Sequence, residues 1–294
     1  GENYMKIGFI GTGIMGSRMA INLLKNDFAV TVHNRTKVNA QPVIDHGAQW
    51  VETPAALAAQ SDVVITMLAH PEAVEATALN AETGFLDAMK DGALWADCST
   101  VKPSFSRRMA TEAEKRGVRF MDAPVAGSKN QAEAADLIFI VGGNADDVAE
   151  VQPLFDAMGK ATNHVGGHGM GISLKLVVNY QLAATMVAFA EGVHLGQSLG
   201  IPQEVLFNVL IGSVVVPGYM TGKRDKMTSG DYAPEFPLQW IQKDVQMATD
   251  SAYETGAAMP MANLTKEIYR MAMQQGLSED DFSAIYAFFN SDKA

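Results

Sequence analysis

Short runs of apolar residues alternate with amphipathic stretches along the first half of the chain. Apolar runs typical of buried strands occur at 6–10, 29–33, 62–67, 94–97, 118–122 and 137–141. Parallel strands are covered on both faces, and therefore read as nearly continuous apolar runs. Helical periodicity follows at about 16–25, 104–116 and 146–158. This βα repetition predicts a doubly wound, mostly parallel sheet with helices on both faces.

The pattern changes after about His164, where strand signals give way to helical segments separated by Gly and Pro. The predicted helices span about 168–199, 203–211, 217–228, 237–256, 260–275 and 281–290. We therefore predict an α/β domain over residues 1–165 and an all-α domain over 166–294, linked by the long helix. That helix has more apolar residues than one hydrophobic core can bury. We therefore expect it to contact a partner subunit in a homodimer or homotetramer.

A glycine-rich turn joins the first predicted strand to the first predicted helix. Its sequence is Gly11-Thr12-Gly13-Ile14-Met15-Gly16, and the next strand completes a βαβ unit. In a dinucleotide fingerprint the first glycine permits the turn, the second admits a pyrophosphate, and the third allows close helix–strand packing. The helix N-terminus then faces the phosphates with its N–H groups. We therefore predict that the first domain is of the Rossmann type and binds a dinucleotide through these six residues.

The residues after the second strand indicate which nucleotide is bound. NAD enzymes place an acidic residue there for the ribose 2′-hydroxyl, whereas this chain has Asn34-Arg35-Thr36. No carboxylate would repel a 2′-phosphate, and arginine can pair with phosphate and stack on adenine. A solvated loop is the alternative interpretation. We expect NADPH (NADP) to be preferred over NADH.

Ligands of doubly wound sheets bind beyond the carboxyl ends of the strands. Three segments at such ends carry candidate residues, which are Met67 and Leu68, Ser99 and Thr100, and Ala126, Gly127 and Ser128. The first is expected beside the nicotinamide ribose, the second at cofactor or substrate, and the third at a substrate carboxylate. As turns in a sheet these segments need no function, so both interpretations stay open.

One lysine and one asparagine interrupt the apolar surface of the long helix. Lys175 and Asn179 lie four residues apart and therefore share a helix face. Burial lowers the pKa of a lysine ammonium toward neutrality, which suits a general acid. On spacing alone, a lysine that extends its ammonium to water is the more common case. The nucleotide fingerprint and the glycines before this helix favour a catalytic role instead.

Composition narrows the classes of function. A net charge of −11 argues against nucleic acid and anionic membranes as partners, and charged residues interrupt the one run long enough to span a membrane. The single cysteine, Cys98, fits a reducing compartment and is interpreted as a core residue. Without a secretory signal pattern, we expect the cytoplasm. The six histidines show no ligand spacing, so we expect no metal.

Four motifs give the chain a resemblance to a known family. They are Gly11 to Gly16, Asp122-Ala-Pro-Val-Ala-Gly127, Gly169-x-Gly171-x3-Lys175-x3-Asn179, and Phe236-Pro-Leu-Gln-Trp-Ile-Gln-Lys243-Asp244. In this order they resemble the β-hydroxyacid dehydrogenase family. The chain resembles most closely the glyoxylate/succinic semialdehyde reductase branch of this family, which is NADPH-dependent. The resemblance lies in the turn after the second strand, the sequence around Lys175 and the segment Asp281-Phe-Ser-Ala284.

The resemblance implies a role for each matching residue. Lys175 would be the general acid, with Asn179 holding it or the substrate. Thr100 and Lys243 would contact the cofactor, and Phe236 and Asp244 would belong to the substrate site. One position departs from the family pattern, because Ala126 replaces a serine that usually helps to bind the substrate carboxylate.

The resemblance also implies a reaction, the reduction of a short carboxylate-bearing aldehyde such as glyoxylate or succinic semialdehyde to a hydroxy acid. A 3-hydroxyisobutyrate dehydrogenase or a tartronate semialdehyde reductase is the nearest alternative. A non-catalytic nucleotide-binding scaffold and an imine reductase share the fold. Some scaffolds lack the lysine and imine reductases typically have another residue there, so Lys175 argues against both.

Overall fold

The computed structural model describes residues 5–290, and internal contacts divide the chain into two compact units, Gly1–Lys175 and Leu176–Ala294. The strands described in the first unit are β1 Ile7–Ile10, β2 Val30–His33, β3 Gln49–Trp50, β4 Val63–Thr66, β5 Leu94–Asp97, β6 Arg119–Asp122, β7 Val125–Ala126, β8 Leu137–Gly143 and β9 Gly159–Gly166. The helices beginning in this unit are α1 Gly16–Lys25, α2 Gln41–Asp45, α3 Pro54–Ala58, α4 Pro71–Leu79, α5 Pro103–Glu114, α6 Lys129–Glu133, α7 Ala145–Met158 and α8 Met170–Ser198. The division between the units falls within α8.

The strands form one sheet in the order β3-β2-β1-β4-β5-β6-β8-β7, and β9 also pairs with β8. All strand pairs within the series β3-β2-β1-β4-β5-β6 are parallel, and β9 is parallel to β8. Only the pairs of β8 with β6 and with β7 are antiparallel. The predicted doubly wound, mostly parallel sheet is therefore confirmed, as is the helical part that follows it.

Alternate strand residues pack into two different cores, one on each face of the sheet. In β1, Phe9 joins a core with Met19 of α1 and Phe155 of α7, whereas the next residue, Ile10, joins a core with Met109 of α5. Side chains on a strand point alternately to its two faces, so apolar residues at every position require helices on both sides. This double burial explains the continuous apolar runs in the sequence.

The strand β9 and several short elements were not predicted. Most side chains of β9 are exposed or half-buried, and its sequence, GKATNHVG, is polar. An edge strand needs no apolar face, so it leaves no hydrophobic pattern to recognise. The helices α2 and α6 and the two-residue strands β3 and β7 are too short for a clear periodicity. The helix α4 is longer, but its sequence, PEAVEATAL, does not separate into distinct apolar and polar faces.

The second unit consists of helices joined by loops. After the remainder of α8 it contains α9 Gln203–Leu210, α10 Arg224–Ser229, α11 Leu238–Thr255, α12 Pro260–Gln274 and α13 Ile285–Asn290. The residues Ala183, Met186 and Ala190 of α8 are buried in its core with Tyr269 of α12. By length and composition α8 is the one described helix that could cross a bilayer. Its buried face is that of a core helix.

A buried ion cluster fixes the segment that precedes α11. The Nζ of Lys223 lies 2.9 Å from Oε2 of Glu235 and 3.0 Å from Oδ2 of Asp281. The same Asp281 oxygen accepts the backbone N–H of Phe236 at 3.2 Å. Asp281 is fully buried, so its charge is compensated by Lys223 and by backbone donors. The cluster thereby anchors Phe236 at the start of the Phe236–Asp244 motif.

Candidate active site

The glycine-rich turn between β1 and α1 has three glycines with three different surroundings. Gly11 has a φ of 99°, and a Cβ there would overlap the carbonyl oxygen of Met67. A Cβ on Gly16 would overlap the carbonyl oxygen of Gly11. A Cβ on Gly13, in contrast, would meet nothing within 4 Å. The first and third glycines are thus required by the fold, whereas the second leaves open space for a ligand.

The turn also has the polar groups that a dinucleotide needs. Thr12 is 3% exposed, and its Oγ1 is buried without a hydrogen-bond partner among the described residues. The first turn of α1 contains no acidic residue, and the first N–H groups of a helix have no partner within it. An orphaned hydroxyl and a helix N-terminus without an acidic side chain fit the pyrophosphate of a dinucleotide.

Asn34 connects the glycine-rich turn to the loop after β2. Its Oδ1 accepts the backbone N–H of Thr12 at 3.1 Å, and its Nδ2 donates to the carbonyl oxygen of Thr36 at 2.9 Å. Arg35 and Thr36 are exposed. The side chain that replaces the acidic residue of NAD enzymes therefore has a structural task, which sequence reasoning missed because its partner lies 22 residues away.

A chain of buried hydrogen bonds fixes the loops after β4 and β5. The Oγ1 of Thr66 and the backbone N–H of Ser99 both donate to Oδ1 of Asp97, at 2.8 and 3.0 Å. The Oγ of Ser99 accepts the backbone N–H of Leu68 at 2.9 Å. Ser99 is 1% exposed, so in this arrangement it links two strand ends, whereas Met67, Leu68 and Thr100 are half-buried.

Asp97 was not predicted, although an acidic residue at the end of an otherwise apolar strand could have revealed it. Next to it, Cys98 is fully buried. Burial, with a smaller contribution from the charge of Asp97, raises the pKa of its thiol. This environment is that of an inert core cysteine, as the sequence predicted.

The loop after β7 presents few donors to a substrate. Ala126 contributes only a methyl group. Both the backbone N–H and the hydroxyl of Ser128 donate to Oε1 of Gln131, at 2.9 Å each, at the start of α6. A contact between the Ser128 hydroxyl and a substrate would require giving up that bond. The exposed Gly127 remains the predicted donor at this position.

The helix α8 contains the two predicted catalytic residues. Lys175 is 7% exposed and Asn179 is 1% exposed. This burial favours the catalytic interpretation of Lys175 over an ammonium extended into water. Lysine is rarely buried to this degree unless it is paired or has a task.

The carboxylate of Asp244 holds Asn179. The Nδ2 of Asn179 donates to Oδ2 of Asp244 at 2.6 Å, and Nζ of Lys243 lies 3.1 Å from Oδ1 of the same carboxylate. Asp244 is 2% exposed. Because its nitrogen is bound by Asp244, the Asn179 carboxamide has a fixed orientation, with its oxygen on the opposite side. Phe236 is half-buried, with its ring 5.9 Å from that of Phe282.

The site residues show no arrangement suited to a metal. Among residues 5–290, no group of three or more His, Cys, Asp or Glu side chains could hold a metal ion.

Comparison with protein families adds the deciding observation. Residues 6–167 match the NAD binding domain of 6-phosphogluconate dehydrogenase, and residues 169–289 match the NAD-binding domain of NADP-dependent 3-hydroxyisobutyrate dehydrogenase. The chain belongs to the β-hydroxyacid dehydrogenase family. The resemblance seen in its four motifs is thereby confirmed, and the protein is an NAD(P)-dependent dehydrogenase or reductase of this family.

Individual members of the family match over nearly their full length. Glyoxylate/succinic semialdehyde reductase 1 of Arabidopsis thaliana is 36% identical, over 96% of this chain and 97% of the relative. The mitochondrial 3-hydroxyisobutyrate dehydrogenase of Homo sapiens is 35% identical, over 98% of this chain and 87% of the relative. The structure of Mycobacterium tuberculosis 3-hydroxyisobutyrate dehydrogenase with L-serine has a TM-score of 0.87 at 28% identity and covers 99% of both chains.

Proposed function

We propose that this β-hydroxyacid dehydrogenase uses NADPH to reduce short carboxylate-bearing aldehydes, glyoxylate and succinic semialdehyde among them, to hydroxy acids. The proposal is carried by the pair Lys175 and Asn179, a cation 7% exposed and a carboxamide 1% exposed on one face of α8. A nucleotide-binding scaffold without activity has no use for such a pair. Relatives named glyoxylate/succinic semialdehyde reductase support the substrate class.

The residues of the chain supply proton transfer and orientation. When bound, NADPH supplies a hydride for the carbonyl carbon. Negative charge then develops on the carbonyl oxygen, and the ammonium of Lys175 donates a proton to that oxygen. Asn179 orients the ammonium one helical turn away, because Asp244 fixes its carboxamide at 2.6 Å. Hydride and proton together convert the aldehyde into the alcohol of the hydroxy acid.

The substrate class is tested by a steady-state screen. The panel contains glyoxylate, succinic semialdehyde and tartronate semialdehyde in the reductive direction, 3-hydroxyisobutyrate in the oxidative direction, and a cyclic imine. We expect the highest kcat/KM for the first two and no turnover of the imine. A clear preference for tartronate semialdehyde or 3-hydroxyisobutyrate, or the absence of any turnover, would contradict the proposal.

The preference for NADPH rests on the loop after β2, where Asn34 is uncharged and Arg35 is exposed. Replacing Arg35 by alanine is expected to lower kcat/KM for NADPH by about 10- to 100-fold, the value of a charge-assisted hydrogen bond. The efficiency with NADH, which would lose only the stacking of Arg35 on adenine, should fall much less. Lys25→Ala, at an exposed cation at the end of α1, is the control. Equal efficiency of the wild type with both nucleotides would contradict the assignment.

We also propose a homodimer or homotetramer. One side of α8 keeps apolar residues exposed, namely Leu174, Val177, Val178 and Leu195. Exposed apolar patches on a surface mark sites of association. Size-exclusion chromatography with light scattering should give at least twice the mass of 31.5 kDa, and a monomer would contradict the proposal. Our proposal for its location remains a reducing compartment such as the cytoplasm.

A further inference from the structure

A buried carboxylate lies at the start of the helix that contains Lys175. Asp122 ends β6 and is 1% exposed. Its Oδ1 accepts the backbone N–H of Gly169 at 2.6 Å, and its Oδ2 accepts that of Ile172 at 2.8 Å. The first turn of α8 has no acidic residue of its own. The negative charge at this helix N-terminus therefore comes from the sheet.

Glycines hold the same helical turn against β8. A Cβ on Gly171 would overlap the carbonyl oxygen of Ile140, and a Cβ on Gly142 would lie 2.7 Å from the nitrogen of Gly171 and 2.8 Å from Oδ1 of Asp122. The backbones thus approach too closely for any side chain at these positions. Lys175 is the sixth residue of α8, so its position follows from how this first turn is held.

The charge of Asp122 also acts on the helix itself. A helix N-terminus has a partial positive charge of about half a unit, which disfavours an ammonium in the first turns. A carboxylate at that terminus offsets the partial charge and favours the protonated amine. This effect is strongest in the first turn of a helix. Lys175 lies in the second turn of α8, and a helical side chain points back toward the N-terminus.

Three other titratable groups lie near this strand end and helix start. Asp97 of β5 repels its charge. The guanidinium of Arg107 on α5 lies beside Gly169, where an added Cβ would be 3.0 Å from Nη1. His168 contacts the ring of Phe120 at 5.8 Å between centroids. Burial raises the pKa of Asp122 to about 7, against the hydrogen bonds from Gly169 and Ile172, which lower it.

We propose that Asp122 is a positioning residue for the reaction: its carboxylate fixes the first turn of α8 and stabilises the protonated form of Lys175. The inference rests on the proposed role of Lys175 as general acid. It adds a residue that acts through the helix, by way of its hydrogen bonds to Gly169 and Ile172.

The test replaces Asp122 by asparagine, which has the same size but no charge and places an N–H2 group against a backbone donor. We expect kcat to fall about 10- to 100-fold, the effect of a small misplacement of a catalytic group. The high-pH limb of the kcat profile, where Lys175 loses its proton, should move down by about half a pH unit to one unit. The KM for NADPH should change little.

A matched control separates positioning from general stability. Oδ1 of Asn144 accepts the backbone N–H of Asp146 at 2.8 Å at the start of α7, so Asn144→Ala removes a helix cap elsewhere in the same unit. It should lower thermal stability and leave the high-pH limb in place. An unmoved limb in Asp122→Asn, whatever its stability, would overturn the proposal.

Two further variants complete the test. If Asp122→Asn does not fold, Asp122→Glu decides: with the charge retained, its high-pH limb should stay at the wild-type position, and a downward shift would overturn the proposal. Lys175→Met is measured beside them. Near-normal turnover in Lys175→Met would refute the role of Lys175 as the general acid. If Lys175→Met is inactive but the high-pH limb of Asp122→Asn stays at the wild-type position, only the role of Asp122 is refuted.

Discussion

A methyl group stands at position 126, where the family usually has a hydroxyl. Ala126 lies at the end of β7, opposite Ile138 of β8, and the neighbouring Ser128 hydroxyl is bound to Gln131. The loop is therefore short of side-chain donors for a carboxylate. We therefore expect the residue at position 126 to affect substrate preference.

Ala126→Ser should restore the missing donor. A hydrogen bond to a charged group contributes about 1.5–3 kcal/mol, so kcat/KM for glyoxylate should rise at least about tenfold. An aldehyde without a carboxylate is the control substrate and should gain nothing. Steady-state kinetics with both substrates would contradict the prediction if the variant and the wild type were alike, or if both aldehydes gained equally.

The sequence predicted single residues where the signal was local. Lys175 and Asn179 stand out because the helix around them is mostly apolar. Asn34 and Asp122 were recognised only by position or motif, and Asp97 was missed. Their hydrogen-bond partners come from other elements, 47 residues away for Asp122 and Gly169. No periodicity within one element records such a contact.

Among the elements, α8 shows how one helix serves two purposes. Its first turn lies against β6 and β8 through Gly171, and its later turns fill the core of the second unit through Met186 and Ala190. Its length was predictable from an uninterrupted apolar run. Its dependence on Gly171 was not, because a glycine reads the same whether it permits close packing or merely lacks a side chain.

Two glycines of α8 therefore give opposite predictions when replaced by alanine. A Cβ on Gly171 would overlap the carbonyl oxygen of Ile140, whereas a Cβ on Gly192 would meet nothing within 4 Å. Gly171→Ala should lower the free energy of unfolding by about 1–3 kcal/mol through overpacking. Gly192→Ala should raise it by about 0.5–1 kcal/mol, because alanine is the better helix former.

Urea unfolding of both variants measures the difference between their free energies of unfolding. Steady-state kinetics measure a second difference, in kcat. Gly171→Ala should also lower kcat, since it displaces the turn before Lys175, whereas Gly192→Ala should leave kcat unchanged. Equal stability of the two variants would contradict the described packing of α8 against the sheet.

At the scale of the whole molecule, the hydrophobic pattern was sufficient for the fold class. Doubly buried strands and one long apolar helix are strong signals, and the four motifs added the family. The exposed edge strand β9 was missed because it has no apolar face. What the pattern could not give is the chemistry of the substrate site, which depends on few side chains in loops.

The buried charge of Asp122 should affect the stability of the whole protein. Its pKa is about 7 in the folded state, above the ordinary value of 3.8. Between these values the folded state binds more protons than the unfolded state. The contribution of Asp122 to the free energy of unfolding should therefore fall as pH rises from about 4 to 7, by up to about 1.4 kcal/mol per pH unit, and stay level above 7.

The wild type compared with Asp122→Asn isolates this contribution. The free energy of unfolding of the wild type minus that of Asp122→Asn should decrease from low pH toward neutrality and then remain constant. A difference that is independent of pH, or that increases with pH, would contradict the raised pKa. If this result is obtained, the ionised carboxylate of Asp122 lowers the stability of the folded protein at neutral pH, which is typical of functional residues.

The most direct test of the account is the turnover of Lys175→Met. Methionine matches the length of the lysine stem and suits a buried position, but it cannot donate a proton. We predict that kcat for glyoxylate reduction falls by about 10²–10⁴-fold, the usual contribution of a general acid, while fluorescence titration gives an unchanged Kd for NADPH. A variant that binds NADPH and keeps near-normal kcat would contradict the assignment of Lys175 as the general acid.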